Sequence, residues 1–389
     1  MRAAMLVGAS GFGLIAVCYG FARFAFGLFL PQISADLALS STLSGAISAG
    51  SFIGFCLAIV AAAWLTERFG PRAVAMAAGI IAAAGMAGIA AAASPVWLAV
   101  AVIVAGSSAG LASPPLAAAV AAQIDRARQD TTNTAINAGT SAGVALSGPV
   151  AIAMGAGWRV AFACFAGAAA AMALATLATL AGNGKRVGNG PGKEAQAATR
   201  LILSPDLVRL AAAACLTGAA SAVVWTFGAE LTTANLEWDA SEIGVLWIVM
   251  GCAGLVGAAS GWLIARAGLN AVHLGFHVLL AVSLAAVGHS HGGPLPALAG
   301  GAAFGASYLM LTGVYLVWGI AALPGRPAAG VMVAFLALAV GQALGASAFG
   351  VIMEHTSPNI AVLGFALLAL AAGLVRRRSP DRRASEYTA

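Results

Sequence analysis

Long apolar stretches alternate with short polar segments along the whole chain. A helix needs about 20 apolar residues to cross a bilayer, and twelve stretches reach roughly that length. They cover roughly residues 6–31, 43–65, 73–93, 95–122, 133–156, 159–182, 206–232, 242–265, 270–289, 294–320, 328–352 and 358–375. The pattern predicts an all-α integral membrane protein with twelve spans.

The composition excludes a soluble protein. Hydrophobic residues make up 61% of the chain and charged residues 8%, against about 25% charged residues in soluble domains. No polar segment is long enough for a soluble catalytic domain, and neither a phosphate-binding glycine motif with lysine nor a nucleophile elbow is present. We predict no enzyme activity, no catalytic residue, no cofactor and no nucleic-acid partner, and a lipid bilayer as the surroundings.

The basic residues predict the orientation in the membrane, because lysine and arginine collect on the cytoplasmic side. If both termini are cytoplasmic, all 19 lysines and arginines except Arg23 and Arg159 lie on that side. This bias predicts a multi-pass protein of a bacterial-type inner membrane, with both termini in the cytoplasm.

A polar, glycine-rich and basic stretch separates the sixth span from the seventh, and this composition is typical of a flexible linker. The predicted domains are an N-terminal six-helix bundle (1–182), a cytoplasmic linker (183–205), a C-terminal six-helix bundle (206–376) and a cytoplasmic tail (377–389).

The two halves repeat each other. A charged loop at 63–72 has a near-copy at 261–270. Glycines recur at matching spacings in spans five and eleven and in spans four and ten. They are Gly139, Gly143 and Gly148 with Gly341, Gly345 and Gly350, and Gly106 and Gly110 with Gly301 and Gly305. Small residues four apart lie on one helix face and allow close helix crossings, so the repeat predicts two similar bundles in the same orientation.

The first charged loop resembles the signature of the major facilitator superfamily, which joins the second and third helices of each half. The matching residues are Ala63, Glu67, Arg68, Gly70 and Arg72 in the first copy, and Gly261, Arg266 and Gly268 in the second. The second copy has Ala265 in place of the acid. The resemblance implies a transporter of the twelve-span bacterial type, with two bundles related by a parallel pseudo-two-fold axis and a central site exposed alternately to each side.

The resemblance also implies a role for the loops as a conformational latch. The candidate latch residues are Glu67, Arg68, Gly70, Arg72, Arg266 and Gly268. Arginines near a helix C-terminus are attracted by its partial negative charge, and making and breaking such contacts would bias the two transport states. The alternative is that these charges only fix the topology.

Arg23 is the candidate substrate ligand. It precedes Pro31 by eight residues, which places it about 12 Å inside the helix end. A cation there costs at least about 2.5–3.5 kcal/mol and by default faces the bundle interior. Its guanidinium suits a carboxylate. The alternatives are a structural anchor to neighbouring carbonyls or a partner for Glu230.

Other polar and aromatic side chains are candidates for the lining of the central cavity. They are Tyr19, one turn from Arg23, then Tyr308, Thr312 and Tyr315 on one face of span ten, and Trp225, Asn137 and Gln342. The alternative for each of them is ordinary packing or a place at the membrane interface.

Coupling to an ion has little support in the sequence. Glu230 is the only acid inside a predicted span, and it is a weak candidate for proton coupling. In the resembled family Gly148-Pro149 is typical of proton-coupled exporters, but Val102 stands where those exporters often have an arginine. His273 and His277 are interpreted as packing or membrane-edge residues, and no metal site is predicted.

These observations predict a secondary transporter of a small organic solute. An organic anion or metabolite is one candidate solute, and export is the preferred direction. A coupled proton or counter-anion is a further expected partner, and the protein is expected to be monomeric. The alternatives are proton-coupled drug or multidrug efflux and a transporter-like solute sensor. An integral membrane enzyme would need histidines or acids gathered at one membrane face, and the sequence offers no convincing group.

Overall fold

A computed structural model describes residues 2–180, 204–290 and 293–378, and within these ranges the regular structure is helical throughout. Eleven of the described helices are long and apolar enough to cross a membrane, and a twelfth is shorter. They are α1 (Ala4–Leu28), α2 (Ser41–Phe69), α3 (Pro71–Ala90), α4 (Pro95–Gln123), α5 (Arg126–Met154), α6 (Trp158–Thr179), α7 (Pro205–Leu236), α8 (Ala240–Ala267), α9 (Leu269–Gly288), α10 (Pro294–Ala322), α11 (Pro327–His355) and α12 (Pro358–Leu374). Most of the predicted linker and tail lie outside the described residues.

Helix α1 is irregular. An α-helical part, Arg2–Ile15, is followed by a π-helical stretch, Ala16–Phe24, and a last α-helical turn, Ala25–Leu28. The helix is interrupted at Phe29. A short connecting helix, Leu30–Leu37, follows and has Pro31 in its first turn. The sequence predicted a continuous span to residue 31 followed by a loop. The difference arises because proline is well suited to the first turn of a helix, where its missing N–H is not needed.

Serine caps start several helices. The side chains of Ser40, Ser94, Ser204 and Ser357 each accept a hydrogen bond from the backbone N–H three residues further on. Such caps satisfy donors that would otherwise be unpaired at a helix start. Successive spans run in opposite directions, so the ends of the twelve helices form two faces of the molecule. We call the end with both termini the terminal face and the opposite end, where α1 meets the connecting helix, the distal face.

Glycines bring the helices of each bundle into close contact in the same way. In the first half, Gly139 and Gly143 of α5 lie against the α1 backbone at Phe12 and Ala16. In the second half, Gly341 and Gly345 of α11 lie against α7 at Cys215 and Ala219. Gly106 and Gly110 of α4 pack on α2, and Gly301 and Gly305 of α10 pack on α8. The predicted repeat is therefore also a repeat of helix contacts.

The two bundles touch most closely toward the distal face. Gly148 of α5 lies against the carbonyl of Gly244 in α8, and Gly350 of α11 lies against that of Ser41 in α2. Gly27, near the end of α1, lies against the carbonyl of Trp225 in α7. The α-helical first part of α1 packs instead on helices of its own bundle. The described conformation is thus closed at the distal face.

Candidate functional site

Arg23 lies in the π-helical stretch of α1 and is 6% exposed. Its Nη2 donates a hydrogen bond of 2.8 Å to Oε1 of Gln342, which belongs to α11 in the other bundle. Its Nε is buried and has no hydrogen-bond partner among the described residues. Short π-helical stretches occur often at functional sites. Glu230, the alternative partner considered from the sequence, forms no ion pair with Arg23 in the described ranges, so that interpretation is wrong for this conformation.

Aromatic rings surround the guanidinium of Arg23. Its central carbon lies 4.0 Å from the ring centre of Phe55, 5.2 Å from that of Phe52, 5.3 Å from that of Phe24 and 5.7 Å from that of Tyr19. The negative faces of such rings attract a cation. The sequence analysis missed Phe52 and Phe55. Their spacing of three residues puts them on one face of α2, which is a signal that could have found them.

Each bundle adds a hydrogen-bonded pair beside Arg23. Nε2 of Gln342 donates to the Tyr308 hydroxyl over 3.1 Å, and the hydroxyls of Tyr19 and Ser113 lie 3.0 Å apart. Ser113 follows Gly106 by seven residues, and Tyr308 follows Gly301 by the same number. The two hydroxyl groups therefore stand at equivalent positions of the repeat. Ser113 was not predicted, although this spacing could have indicated it.

Trp225 of α7 forms a wall of the same site. Its ring stacks on Phe24 with 4.1 Å between ring centres and meets Tyr308 edge-on at 5.3 Å. The indole Nε1 is buried, and no residue in the described ranges accepts a hydrogen bond from it. Next to it in sequence, the hydroxyl of Thr226 lies 2.8 Å from that of Ser48 in α2. The site thus lies between the bundles and contains N–H donors that no other described residue pairs with.

One of the predicted lining residues, Tyr315, lies away from Arg23. Tyr315 is buried beside Thr217, whose hydroxyl is 2.5 Å from its own. The reason is distance, because seven residues separate it from Tyr308 and amount to about 10.5 Å along a helix. The Thr312 hydroxyl donates to the carbonyl of Leu309 in its own helix. Asn137 is exposed.

His273 and His277 belong to the group around Tyr315. Both are fully buried, their ring centres are 4.2 Å apart, and Nε2 of His277 lies 2.7 Å from the Thr217 hydroxyl. Their packing agrees with one of the two interpretations made from the sequence. The other, a place at the membrane edge, is wrong because this face of α9 contacts α7 and α10. The described residues contain no group of three or more side chains able to hold a metal ion.

Glu230 lies near the end of α7 toward the distal face. One of its carboxylate oxygens is buried and has no hydrogen-bond partner in the part of the chain that the structure describes. The carboxyl group lies beside the side chain of Ser41 at the start of α2. Glu230 is therefore apart from Arg23, at the contact between the bundles.

The two charged loops have the same shape. Gly70 and Gly268 connect their helices with φ angles of 83° and 82°, a conformation that side chains with a Cβ rarely adopt. Arg68 lies over the Trp64 ring and Arg266 over the Trp262 ring. Within the described ranges Glu67 forms no ion pair with Arg68 or Arg72, and Nε of Arg72 is buried without a hydrogen-bond partner.

Two six-helix bundles in a membrane, with a buried polar site between them, define the architecture of a membrane carrier. Residues 12–346 match the Major Facilitator Superfamily. The chain therefore belongs to this family, and it is a membrane transporter of small solutes rather than an enzyme. No curated protein sequence matches it.

Solved structures of transporters share the fold. A mutant of the nucleoside transporter NupG superposes with a TM-score of 0.78 at 13% identity and covers 94% of this chain and 98% of its own. The xylose transporter XylE from E. coli, in a partially occluded inward open conformation, gives 0.75 at 16% identity, with 96% and 97% covered. A bacterial homologue of the human lysosomal transporter Spinster, inward-facing and occupied, gives 0.72 at 15%, with 96% of each chain covered. At these identities the likeness concerns the fold alone.

Proposed function

We propose that the protein carries a small organic anion across the membrane and binds its carboxylate at Arg23. The observation that carries the proposal is a buried cation without an anion. Arg23 has one hydrogen bond to a neutral amide, an unpaired Nε and no carboxylate partner among the described residues. A carboxylate would complete the site.

Energy favours this proposal over a purely structural arginine. Removing one partner of a buried ion pair costs about 3–5 kcal/mol, because it leaves an uncompensated charge. A guanidinium fork can bind both oxygens of a carboxylate and forms its strongest hydrogen bonds with ionised acceptors. The substrate anion would supply what Gln342 supplies only in part.

The rest of the site suits a small acid with a flat or apolar body. Phe24, Phe52 and Phe55 line it together with Trp225, and Tyr308 offers a hydroxyl. Apolar walls with a few polar groups are typical of sites for small organic ligands. An amine would find no acid partner beside Arg23 among the residues that the structure describes.

The direction we propose is export through a bacterial inner membrane, with the terminal face in the cytoplasm and the protein acting as a monomer. The placement of the basic residues supports the orientation, and Gly148-Pro149 resembles the pattern of exporters. In this orientation the described conformation is closed toward the outside. The latch role of Glu67, Arg68, Gly70, Arg72, Arg266 and Gly268 belongs to the same proposal.

Thermal unfolding of the purified protein with a panel of small acids, amines and apolar compounds tests the proposal. We expect a carboxylate such as benzoate to raise the melting temperature of the wild type but not that of Arg23→Gln. Losing one partner of a buried charge pair costs about 2–5 kcal/mol of binding free energy. Arg159→Gln, the same exchange at the distal face, is the matched control and should respond like the wild type. Flux of that acid into liposomes then separates a carrier from a solute sensor.

Glu230 supports a second candidate, proton-coupled efflux of cationic or apolar compounds. Its unpartnered carboxylate oxygen lies where the bundles meet, so gaining or losing a proton there would change their contact. If amines or apolar compounds stabilise the wild type and Arg23→Gln equally, the anion proposal fails. Loss of proton-driven flux in Glu230→Gln would then support efflux.

A further inference from the structure

The hydrogen bond from Arg23 to Gln342 joins the two bundles at the centre of the protein. Arg23 belongs to α1 and Gln342 to α11, and both side chains are buried. Two other side-chain hydrogen bonds between the bundles, Ser48 with Thr226 and the Thr42 N–H with Glu354, lie closer to the distal face. The central bond is therefore made inside the site in which the substrate is proposed to bind.

The Gln342 amide presents its oxygen, and not its nitrogen, to the arginine. Arg23 fixes this orientation, because a guanidinium only donates hydrogen bonds and must face the oxygen. The Tyr308 hydroxyl then accepts a hydrogen bond from the other end of the amide, Nε2, over 3.1 Å. An amide oxygen and a carboxylate oxygen are both hydrogen-bond acceptors. Oε1 of Gln342, 2.8 Å from Nη2 of Arg23, occupies a position that one oxygen of a bound carboxylate would take.

We propose that Gln342 is an internal substitute for the substrate anion, which permits the empty carrier to change between its two states. This inference rests on the proposed function. Without substrate, a buried guanidinium would pass through the closed state unpaired, which is costly in a low-dielectric interior. The amide lowers that cost. A carboxylate displaces it because hydrogen bonds between two ions are stronger than those with one neutral partner.

The consequence concerns the mode of transport. A carrier whose empty form changes state can catalyse net flux, whereas one whose empty form cannot is restricted to exchange of one anion for another. Gln342 thereby makes net transport possible. Thr140, which follows Gly139 as Gln342 follows Gly341, stands at the equivalent position of α5 and provides a matched control.

The test compares two assays in liposomes with radiolabelled benzoate, or with another acid of the panel that stabilises the wild type more strongly. Net flux is measured into liposomes loaded with buffer, and exchange into liposomes loaded with the unlabelled acid. For Gln342→Leu we expect net flux to fall at least about tenfold more than exchange, a ratio of the size of one hydrogen bond to a charged group. Thr140→Val should leave both rates unchanged.

A second variant tests the same idea from the other side. In Gln342→Glu the substitute becomes an ion and should compete with the substrate for Arg23. The acid concentration needed to raise the melting temperature should therefore be at least about tenfold higher for this variant than for the wild type. The inference is overturned if net flux and exchange fall together in Gln342→Leu, or if neither changes. If no acid stabilises the wild type at all, the proposed function itself has failed, and the binding assay reveals this before flux is measured.

Discussion

The two halves of the molecule share their helix packing but differ in their central polar groups. The glycines of α5 meet α1 at Phe12 and Ala16, and those of α11 meet α7 at Cys215 and Ala219, the same spacing in each half. Counting along the helices from these contacts, Arg23 of α1 corresponds to Thr226 of α7, and Gln342 of α11 corresponds to Thr140 of α5. Close packing is thus repeated, whereas each half supplies only one member of the Arg23–Gln342 pair.

The halves also differ where they meet at the distal face. Oε2 of Glu354, on α11, accepts a hydrogen bond of 2.8 Å from the N–H of Thr42 and so caps α2 of the other bundle. At the opposite contact α8 is capped by its own Asp239 and Glu242, and Ile152 of α5 packs against Gly244. At the distal face, one contact between the bundles is therefore polar, and the contact at Gly244 is apolar.

The largest effect is expected when the shared packing is broken. Gly139→Ala and Gly341→Ala each put a Cβ against a backbone carbonyl, of Phe12 and of Cys215 respectively. Overpacking a tight contact costs about 1–3 kcal/mol, occasionally more. We expect both variants to be destabilised to a similar degree, as measured by thermal unfolding in detergent.

Glycines in open surroundings are the controls for this comparison. A Cβ at Gly167 of α6 or at Gly275 of α9 would meet nothing within 4 Å. Their alanine variants should stay within about 1 kcal/mol of the wild type, because only helix propensity changes. A large loss in one half alone would show that the contacts of the two halves are not equivalent.

The repeated part of the molecule is the part that the sequence predicts well. Apolar stretches fix the spans, and paired glycines mark the helix contacts, because both depend on periodicity along one helix. Membership of the major facilitator superfamily confirms the fold. Arg23 could be singled out from its charge alone, since a cation deep in a span must face the interior.

The partners of Arg23 could not be derived in the same way. Its contact with Gln342 joins residues 319 positions apart, and no local pattern indicates which helix faces a given side chain across the bundles. The π-helical stretch of α1 also changes the direction of its side chains without a sequence signal that periodicity can detect. Tyr308, Thr312 and Tyr315 were grouped by helix face alone, and the distance along the helix separates Tyr308 from Tyr315.

The next largest effect is expected from a substitution in the polar contact between the bundles at the distal face. Glu354→Gln removes the charge that caps α2 from the other bundle, so we expect the distal face to open more often, by severalfold, as is typical when a helix cap is weakened. Hydrogen exchange at the first turn of α2 measures this opening. Ile152→Ala, at the apolar contact, should leave exchange at α2 unchanged, and equal effects of the two variants would contradict the distinction between the interfaces.

The charged loops offer a smaller effect, because Glu67 and Arg68 are exposed and exposed ion pairs contribute about 0–1 kcal/mol. Glu67→Gln should alter the rate of flux by up to about fivefold if Glu67 pairs with Arg72 in the other transport state. Ala265→Glu gives the second loop the acid that it lacks and should alter the rate by a similar factor. If both variants transport like the wild type, the loops fix only the topology.

The smallest effect is expected from pH at the distal face, where each half holds an aspartate outside the membrane spans. The hydrogen bond from Arg159 lowers the pKa of Asp36, and bonds with Glu242 and with the N–H of Ser241 lower that of Asp239. A lowered pKa in the folded state stabilises the fold above the ordinary value, about 3.9, and this contribution is lost as the pH falls below it through the folded-state pKa.

Melting temperatures between about pH 3 and pH 7 should therefore fall more steeply for the wild type than for Asp36→Asn or Asp239→Asn. Both slopes should be shallow, because the side chains of Asp36 and Arg159 are 45% and 41% exposed and water screens such pairs. The response to salt should distinguish the aspartate of one half from that of the other. The Asp36–Arg159 pair joins two charged side chains, so high salt should weaken its contribution. The Asp239 cap bonds a backbone N–H within one helix and should change less. Equal salt responses of the two variants would contradict a contribution from the charge pair of Asp36 and Arg159.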